Sequence, residues 1–206
     1  LYLAGDAALP RDPAAALKWL TYAAELGNQF AQYRLGKLLL KGDDGIPKDV
    51  ITAIRWLTAA AKQENGYAEY ALALVYLTGE DAPKDSVKAL SLLKRSAGRG
   101  NQFAQYRLGK LLLQGEDAPK DVKAAIRWLT AAAEQGNQYA QYALGKLYLL
   151  GKEVPKDRSS AIKWFQLAAD QGNEYAQYFL KHMDDRLGQP PVAAVISLFH
   201  HLAHIF

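Results

Sequence analysis

Apolar and polar positions along this chain follow one scheme that recurs from end to end. In the best-defined copy, Asn101 opens a run with Ala104, Leu108, Leu111 and Leu112 at helical spacing, and Gly115 closes it. A turn follows, Glu116-Asp117-Ala118-Pro119-Lys120. Asp121 then precedes a second apolar series, Val122, Ala125, Ile126, Leu129 and Ala133, which ends at Gly136. Asn and Asp are good N-caps because a side-chain oxygen accepts from amides that have no partner in the first turn. Glycine after the last turn takes positive φ without strain. Each copy therefore predicts two helices joined by a loop short enough to make them antiparallel neighbours.

The register is fixed by two columns. Trp19, Trp56, Leu92, Trp128 and Trp164 form one, and Asn28, Asn65, Asn101, Asn137 and Asn173 the other. Successive members lie 36 residues apart, except the first step of 37, whose extra residue falls in Gly42-Asp43-Asp44-Gly45-Ile46. The string GNQFAQYRLGKLLL occurs as Gly27–Leu40 and again as Gly100–Leu113. A pair of helices this small cannot bury its apolar face alone, so neighbouring pairs must stack. The predicted fold is all-α: a right-handed α/α superhelix, or solenoid, of helix–turn–helix modules with a C-terminal capping helix. The modules are placed at about 1–28, 29–65, 66–101, 102–137 and 138–173, with a partial copy over 174–187, and the apolar helix over 188–206. Gly36, Gly109 and Gly145 sit in mid-helix, at a cost of up to about 1 kcal/mol against alanine, where another backbone must come close. The tryptophans are expected to be the bulky partners beside them, so Trp128→Ala should cost about 3–5 kcal/mol.

These residues resemble the Sel-one-like repeats, relatives of the tetratricopeptide repeats. The matching motifs are A-x-x-x-L-G-x-x-[LY]-x-x-G (Ala140, Leu144, Gly145, Tyr148, Gly151), P-K-D-x-x-x-A, and W-[LF]-x-x-A-A-x-x-G (Trp164, Phe165, Ala168, Ala169, Gly172). They cover roughly residues 1–187. The resemblance implies a scaffold or adaptor for protein complexes and names no partner. The whole arrangement, with a final helix containing Ser197-Leu198-Phe199-His200-His201 and Ile205-Phe206, is also similar to the C-terminal repeat region of Firmicutes mobilisation proteins (relaxases). No relaxase catalytic motif is present.

In tetratricopeptide-like folds the first helix of each pair lines the concave surface. Phe30, Tyr33, Lys37 and Leu40 lie on one stripe, roughly opposite Ala31, Leu35 and Leu38. Stacking gives two ladders: Tyr33, Tyr70, Tyr106, Tyr142 and Tyr178, then Lys37, Leu74, Lys110, Lys146 and His182. These ten are the candidate partner-binding residues. Tyr suits protein-binding hot spots, but a Tyr in every module also suits packing between modules. The lysine column, which varies, is the better candidate for an open face.

Module 66–101 departs from the others. It has Ala73 for Gly, Leu74 for Lys, Leu92 for Trp, and a basic run of Lys94, Arg95 and Arg99. This is either a specialised central patch or simple drift, with drift favoured. Glu64-Asn65-Gly66 replaces the Gly-Asn junction, so the tight turn there is expected to shift by a residue or two.

Composition changes little. Half of the 206 residues are hydrophobic and 22% charged, with a net charge of +4, as in ordinary folded proteins. Absence of cysteine excludes disulfides, thiolate zinc sites and thiol nucleophiles. No apolar run reaches the roughly 18 residues of a membrane span. No phosphate-binding loop, dinucleotide fingerprint, zinc-protease motif or nucleophile elbow occurs, so neither catalysis nor a cofactor is expected. His200 and His204 lie one turn apart, but no third ligand in that helix completes a metal site. The terminal helix, Pro191–Phe206, is apolar on most sides. It either seals the last module, the favoured reading, or offers a surface for another chain, with a homodimer as one outcome. Leu1–Asp6 read as the end of a helix cut in the middle, so the chain is expected to be part of a longer protein, placed in the cytoplasm. The leading function is a non-catalytic scaffold binding a protein or peptide. The alternative is nucleic-acid association through Arg34, Lys37, Arg107, Lys110 and Lys146, with interleaved Tyr.

Overall fold

The computed structural model describes residues 12–42 and 45–182. The terminal helix over 188–206, with its histidines, lies outside the described residues, as do Leu1–Asp6. Among the described residues there are helices and no strand. The chain divides into two compact units, 1–135 and 136–206.

The first unit holds α1 (Pro13–Glu25), α2 (Gln29–Lys41), α3 (Val50–Lys62), α4 (Gly66–Thr78), α5 (Ser86–Gly98), α6 (Gln102–Gln114) and α7 (Val122–Glu134). The second holds α8 (Gln138–Leu150), α9 (Arg158–Asp170) and α10 (Glu174–His182). Capping follows one rule throughout. The even-numbered helices, first in each pair, start behind an Asn. Asn28 Oδ1 accepts from Ala31 N at 2.9 Å and Asn101 Oδ1 from Ala104 N at 3.1 Å. The odd-numbered helices start behind an Asp. Asp49 Oδ1 accepts from Thr52 N and Asp157 Oδ1 from Ser160 N, each at 3.0 Å. Each cap is worth about 1 kcal/mol.

In the first unit, α2 packs with α3, α4 with α5, and α6 with α7, and each pair is joined to the next. One core gathers Ala24, Leu35, Leu39 and Ala53; a larger one runs from Leu57 through Leu72, Leu93 and Leu108 to Ala125. In the second unit Ala161, Phe165, Ala168, Ala176 and Phe179 form the core, with Phe165 and Phe179 rings parallel at 5.2 Å.

The mid-helix glycines mark close approach, but not to tryptophan. A Cβ on Gly109 would sit 2.7 Å from Leu129 Cγ, and one on Gly145 would sit 2.6 Å from Phe165 Cδ1. Leu57, Leu129 and Phe165, each one residue after a Trp, are completely buried, whereas Trp56, Trp128 and Trp164 are half-buried and Trp19 is exposed. The indole lies at the rim of the pair, partly in solvent, because the next side chain takes the place under the glycine. Trp128 is not the core residue expected from its recurrence. Leu38 is likewise half-buried, and Leu39 takes the interior place.

Candidate functional site

In the first unit, α2, α4 and α6 bring Tyr33, Lys37, Tyr70, Leu74, Tyr106 and Lys110 onto one face. Lys37 is exposed and the other five are half-buried. Tyr33 and Tyr70 pack between modules and are partly open as well. The Tyr33 ring lies 5.8 Å from Tyr67 and the Tyr70 ring 6.3 Å from Phe103. Lys37 Nζ stands 5.9 Å from the Tyr33 ring centre, a distance at which a cation is attracted to the ring face. Burial lifts the Tyr70 phenol above the usual tyrosine range, with Arg107 pulling it the other way. Burial likewise pushes the Lys110 ammonium down, and neighbouring Arg107 adds to that.

In the second unit the candidates divide differently. The Tyr142 ring packs against Phe165, Tyr175 and Phe179 at 5.8, 6.0 and 6.2 Å, which is core work. Lys146 is half-buried on α8. Tyr178 and His182 stack at 4.2 Å on α10, with His182 Nδ1 2.7 Å from the Tyr178 carbonyl oxygen.

A second set of aromatics, of which the sequence stripe included only Phe30, is more open. Phe30, Tyr67, Phe103 and Tyr139 are exposed, at 64%, 50%, 43% and 42%, more so than the tyrosines chosen from the pattern. Tyr175 holds the same place in α10. The signal was legible: an aromatic stands two residues after each Asn cap.

Charge on this face is one-sided. Helices α2, α4 and α6 carry Arg34, Lys37, Lys41, Arg107 and Lys110, and the single acid Glu69. Glu69 is fully buried. Its carboxylate meets Arg95 Nη2 at 2.6 Å and Arg99 Nε at 3.3 Å. Arg99 Nη1 also donates to Glu64 Oε2 at 3.0 Å, which holds the Glu64 carboxyl below the usual carboxylate range. Arg95 and Arg99 are thus committed to neutralising a buried acid, and the basic run on α5 is not a free patch. Nor does the turn before α4 shift. Glu64 itself adopts the positive φ, 67°, that glycine takes elsewhere, and Asn65 caps α4 in the ordinary way.

Among the described residues no cluster of His, Asp or Glu could hold a metal, and no helix is long and apolar enough to cross a membrane.

The comparisons with known proteins agree on the family. A profile of the Sel1 repeat matches residues 1–28, 29–65, 66–101, 102–137 and 138–173. A Sel1 repeat protein from Oxalobacter formigenes is 34% identical, with a TM-score of 0.79 over 89% of this chain and 53% of that one. The protein c5321, a protective antigen present in uropathogenic Escherichia coli strains and displaying an SLR fold, is 35% identical, with a TM-score of 0.77 over 81% of this chain and 36% of that one. This chain therefore spans about half and about a third of those relatives. No curated protein sequence matches it. Nothing in these findings bears on the likeness to mobilisation proteins. Sel1 repeats in general are non-catalytic scaffolds that mediate protein interactions. With five copies matched in sequence and the repeat solenoid matched in structure, the chain belongs to the Sel1 repeat family.

Proposed function

We propose that this chain is a non-catalytic interaction scaffold that captures a protein or peptide on its first-helix face, the concave one in a Sel1 solenoid. The observation that carries this is the row of partly open aromatics on α2, α4 and α6, flanked by Arg34, Lys37, Arg107 and Lys110. Half-exposed aromatic rings beside cations are what protein-binding surfaces favour. The rings also hold one another in place, so little side-chain freedom is lost on binding. Tyr33, Lys37, Tyr70, Leu74, Tyr106 and Lys110 are the contact residues in the first unit. Tyr142, Lys146, Tyr178 and His182 hold the same two positions of the repeat in the second, and Tyr142 is the least suited because its ring is enclosed. A cytoplasmic place and a homodimer through the terminal helix are part of this reading, and neither is needed for the surface to act.

Photo-cross-linking tests it. A benzophenone side chain at Tyr70 should trap a protein in the source organism, whereas one at Ile51 on α3 should not. Equal trapping at both, or at Ile51 alone, rules out this face.

The same cations and stacked rings favour a second reading, an accessory nucleic-acid-binding module. Phosphate-driven binding weakens steeply between low and physiological salt. No binding to DNA or RNA at low salt would remove that reading.

A further inference from the structure

The first-helix face of the first unit is not uniform along its length. Helix α2 presents exposed Arg34 and Lys37, and α6 presents half-buried Arg107 and Lys110. Between them, α4 has Ala71 and Leu74 at the matching positions, both half-buried, beside Tyr70. The one acid of these three helices is sealed under the surface and paired with arginines from α5. The face therefore runs cation, apolar step, cation, with no exposed carboxylate of its own on these helices.

The second cation site holds two cations close together, partly withdrawn from water. Arg107 and Lys110 are close enough for their charges to oppose, and Lys110 is partly desolvated. Arg107 Nε–H is buried with no acceptor among the described residues. The nearby acid Asp117 also lies within reach of the Arg107 charge, while it accepts from Ser86 Oγ at 2.7 Å and pairs with Lys84 at 2.9 Å. Helix neighbours pack about 8–10 Å apart, so α2 and α6 stand roughly 20 Å from each other. An extended chain advances about 3.3 Å per residue, so roughly six residues span that gap.

From this we infer that the preferred partner is an extended acidic peptide: two acidic positions about six residues apart, with one aliphatic side chain midway. The acidic groups meet Arg34/Lys37 and Arg107/Lys110, and the aliphatic group sits on Tyr70 and Leu74. Charge complementarity selects this occupant over a basic or neutral segment. A polynucleotide, evenly charged, has nothing to place on the apolar step. This rests on the reading of the face as the partner surface.

The probe is a fluorescein-labelled synthetic peptide with two Glu-Glu pairs about six residues apart and one Leu midway, titrated by fluorescence anisotropy against the full chain. Wild type should bind it. Lys37→Glu with Lys110→Glu should weaken binding at least about tenfold, with helicity retained by circular dichroism. The same charge change on the second helices, Lys94→Glu with Lys123→Glu, should stay within about twofold. Replacing the central Leu by Ser, or halving the spacing, should weaken binding about fivefold. Leu74→Ser, which removes the apolar step without adding charge or touching the cation sites, should do the same.

Three outcomes overturn the inference: equal binding of a peptide with Lys in place of Glu, indifference to spacing and to the central Leu, or tighter binding of a single-stranded oligonucleotide at physiological salt. Absence of peptide binding while Tyr70 still cross-links a protein removes the acidic-peptide assignment and leaves the surface standing. Loss of both removes both.

Discussion

Modules 66–101 and 102–137 fold alike yet solve the same junction with different chemistry. In the later module Gln105 Nε2 donates to the Ala97 carbonyl at 3.1 Å, and Gln135 Nε2 donates to Gln105 Oε1 at 2.7 Å. Module 29–65 repeats that scheme through Gln32 and Gln63. In module 66–101 Glu69 and Arg99 occupy the two glutamine positions, and Arg95 Nη2 donates to the Ala61 carbonyl, at 3.4 Å, that a glutamine amide would otherwise serve. Three substitutions answer one another, which is not what independent drift produces. The same module has moved its positive charge from the first helix to the second. That leaves Ala71 and Leu74 on the face where its neighbours carry Arg and Lys.

The largest loss of stability should come from stranding the buried acid. Arg95→Ala with Arg99→Ala leaves Glu69 without a cation and should cost about 3–5 kcal/mol. The counterpart, Gln135→Ala, removes one neutral hydrogen bond and should cost about 1 kcal/mol. Urea unfolding of both variants checks the contrast, and equal losses would make the two junctions equivalent. Converting the ionic junction to the neutral one, Glu69→Gln with Arg99→Gln, should return to within about 1 kcal/mol of wild type. A double-mutant cycle should then show coupling between the two sites.

The helix interior separates the modules next. Gly109→Ala pushes a methyl against Leu129 and should destabilise by about 1–3 kcal/mol. The reverse change in the divergent module, Ala73→Gly, loses helix propensity and one buried methyl and should cost about 1–2 kcal/mol. Thermal unfolding that leaves Gly109→Ala as stable as wild type would undo the close packing of Gly109 on Leu129. At the junction before α4, Glu64→Gly should be more stable than Glu64→Ala by about 1 kcal/mol, because only glycine takes positive φ without strain.

The mildest effect belongs to two of the aspartate caps. Asp49 and Asp157 are held below the usual carboxylate range, by the backbone amide of Thr52 in one case and by the hydroxyl and amide of Ser160 in the other. A carboxyl whose folded pKa is depressed contributes stability above its unfolded value and loses it as pH falls through the folded one. Stability should therefore decline below about pH 4, and Asp157→Asn, which keeps a capping oxygen, should flatten its share of that slope.

Much of this was legible in the letters. Asn and Asp caps, closing glycines and the period placed both helices of each module, because caps and turns act over a few residues. The tryptophans misled because recurrence marks a structural role without saying how deep it lies. Only packing distinguishes Trp128 from Leu129. Arg95 and Arg99 read as drift or as a central patch because their partner, Glu69, is some 30 residues away and looks like any helix-surface acid. The exposed ring column at Phe30, Tyr67 and Phe103 was in plain view, but one turn along α2, α4 and α6 decides which ring is enclosed.

The scaffold reading stands or falls on which surface meets the partner. An amide proton–nitrogen spectrum of the labelled chain, titrated with the acidic peptide, tests it directly. Perturbed resonances should concentrate on α2, α4 and α6, around Lys37, Leu74 and Lys110. Perturbations centred on α3, α5 and α7 instead would contradict it.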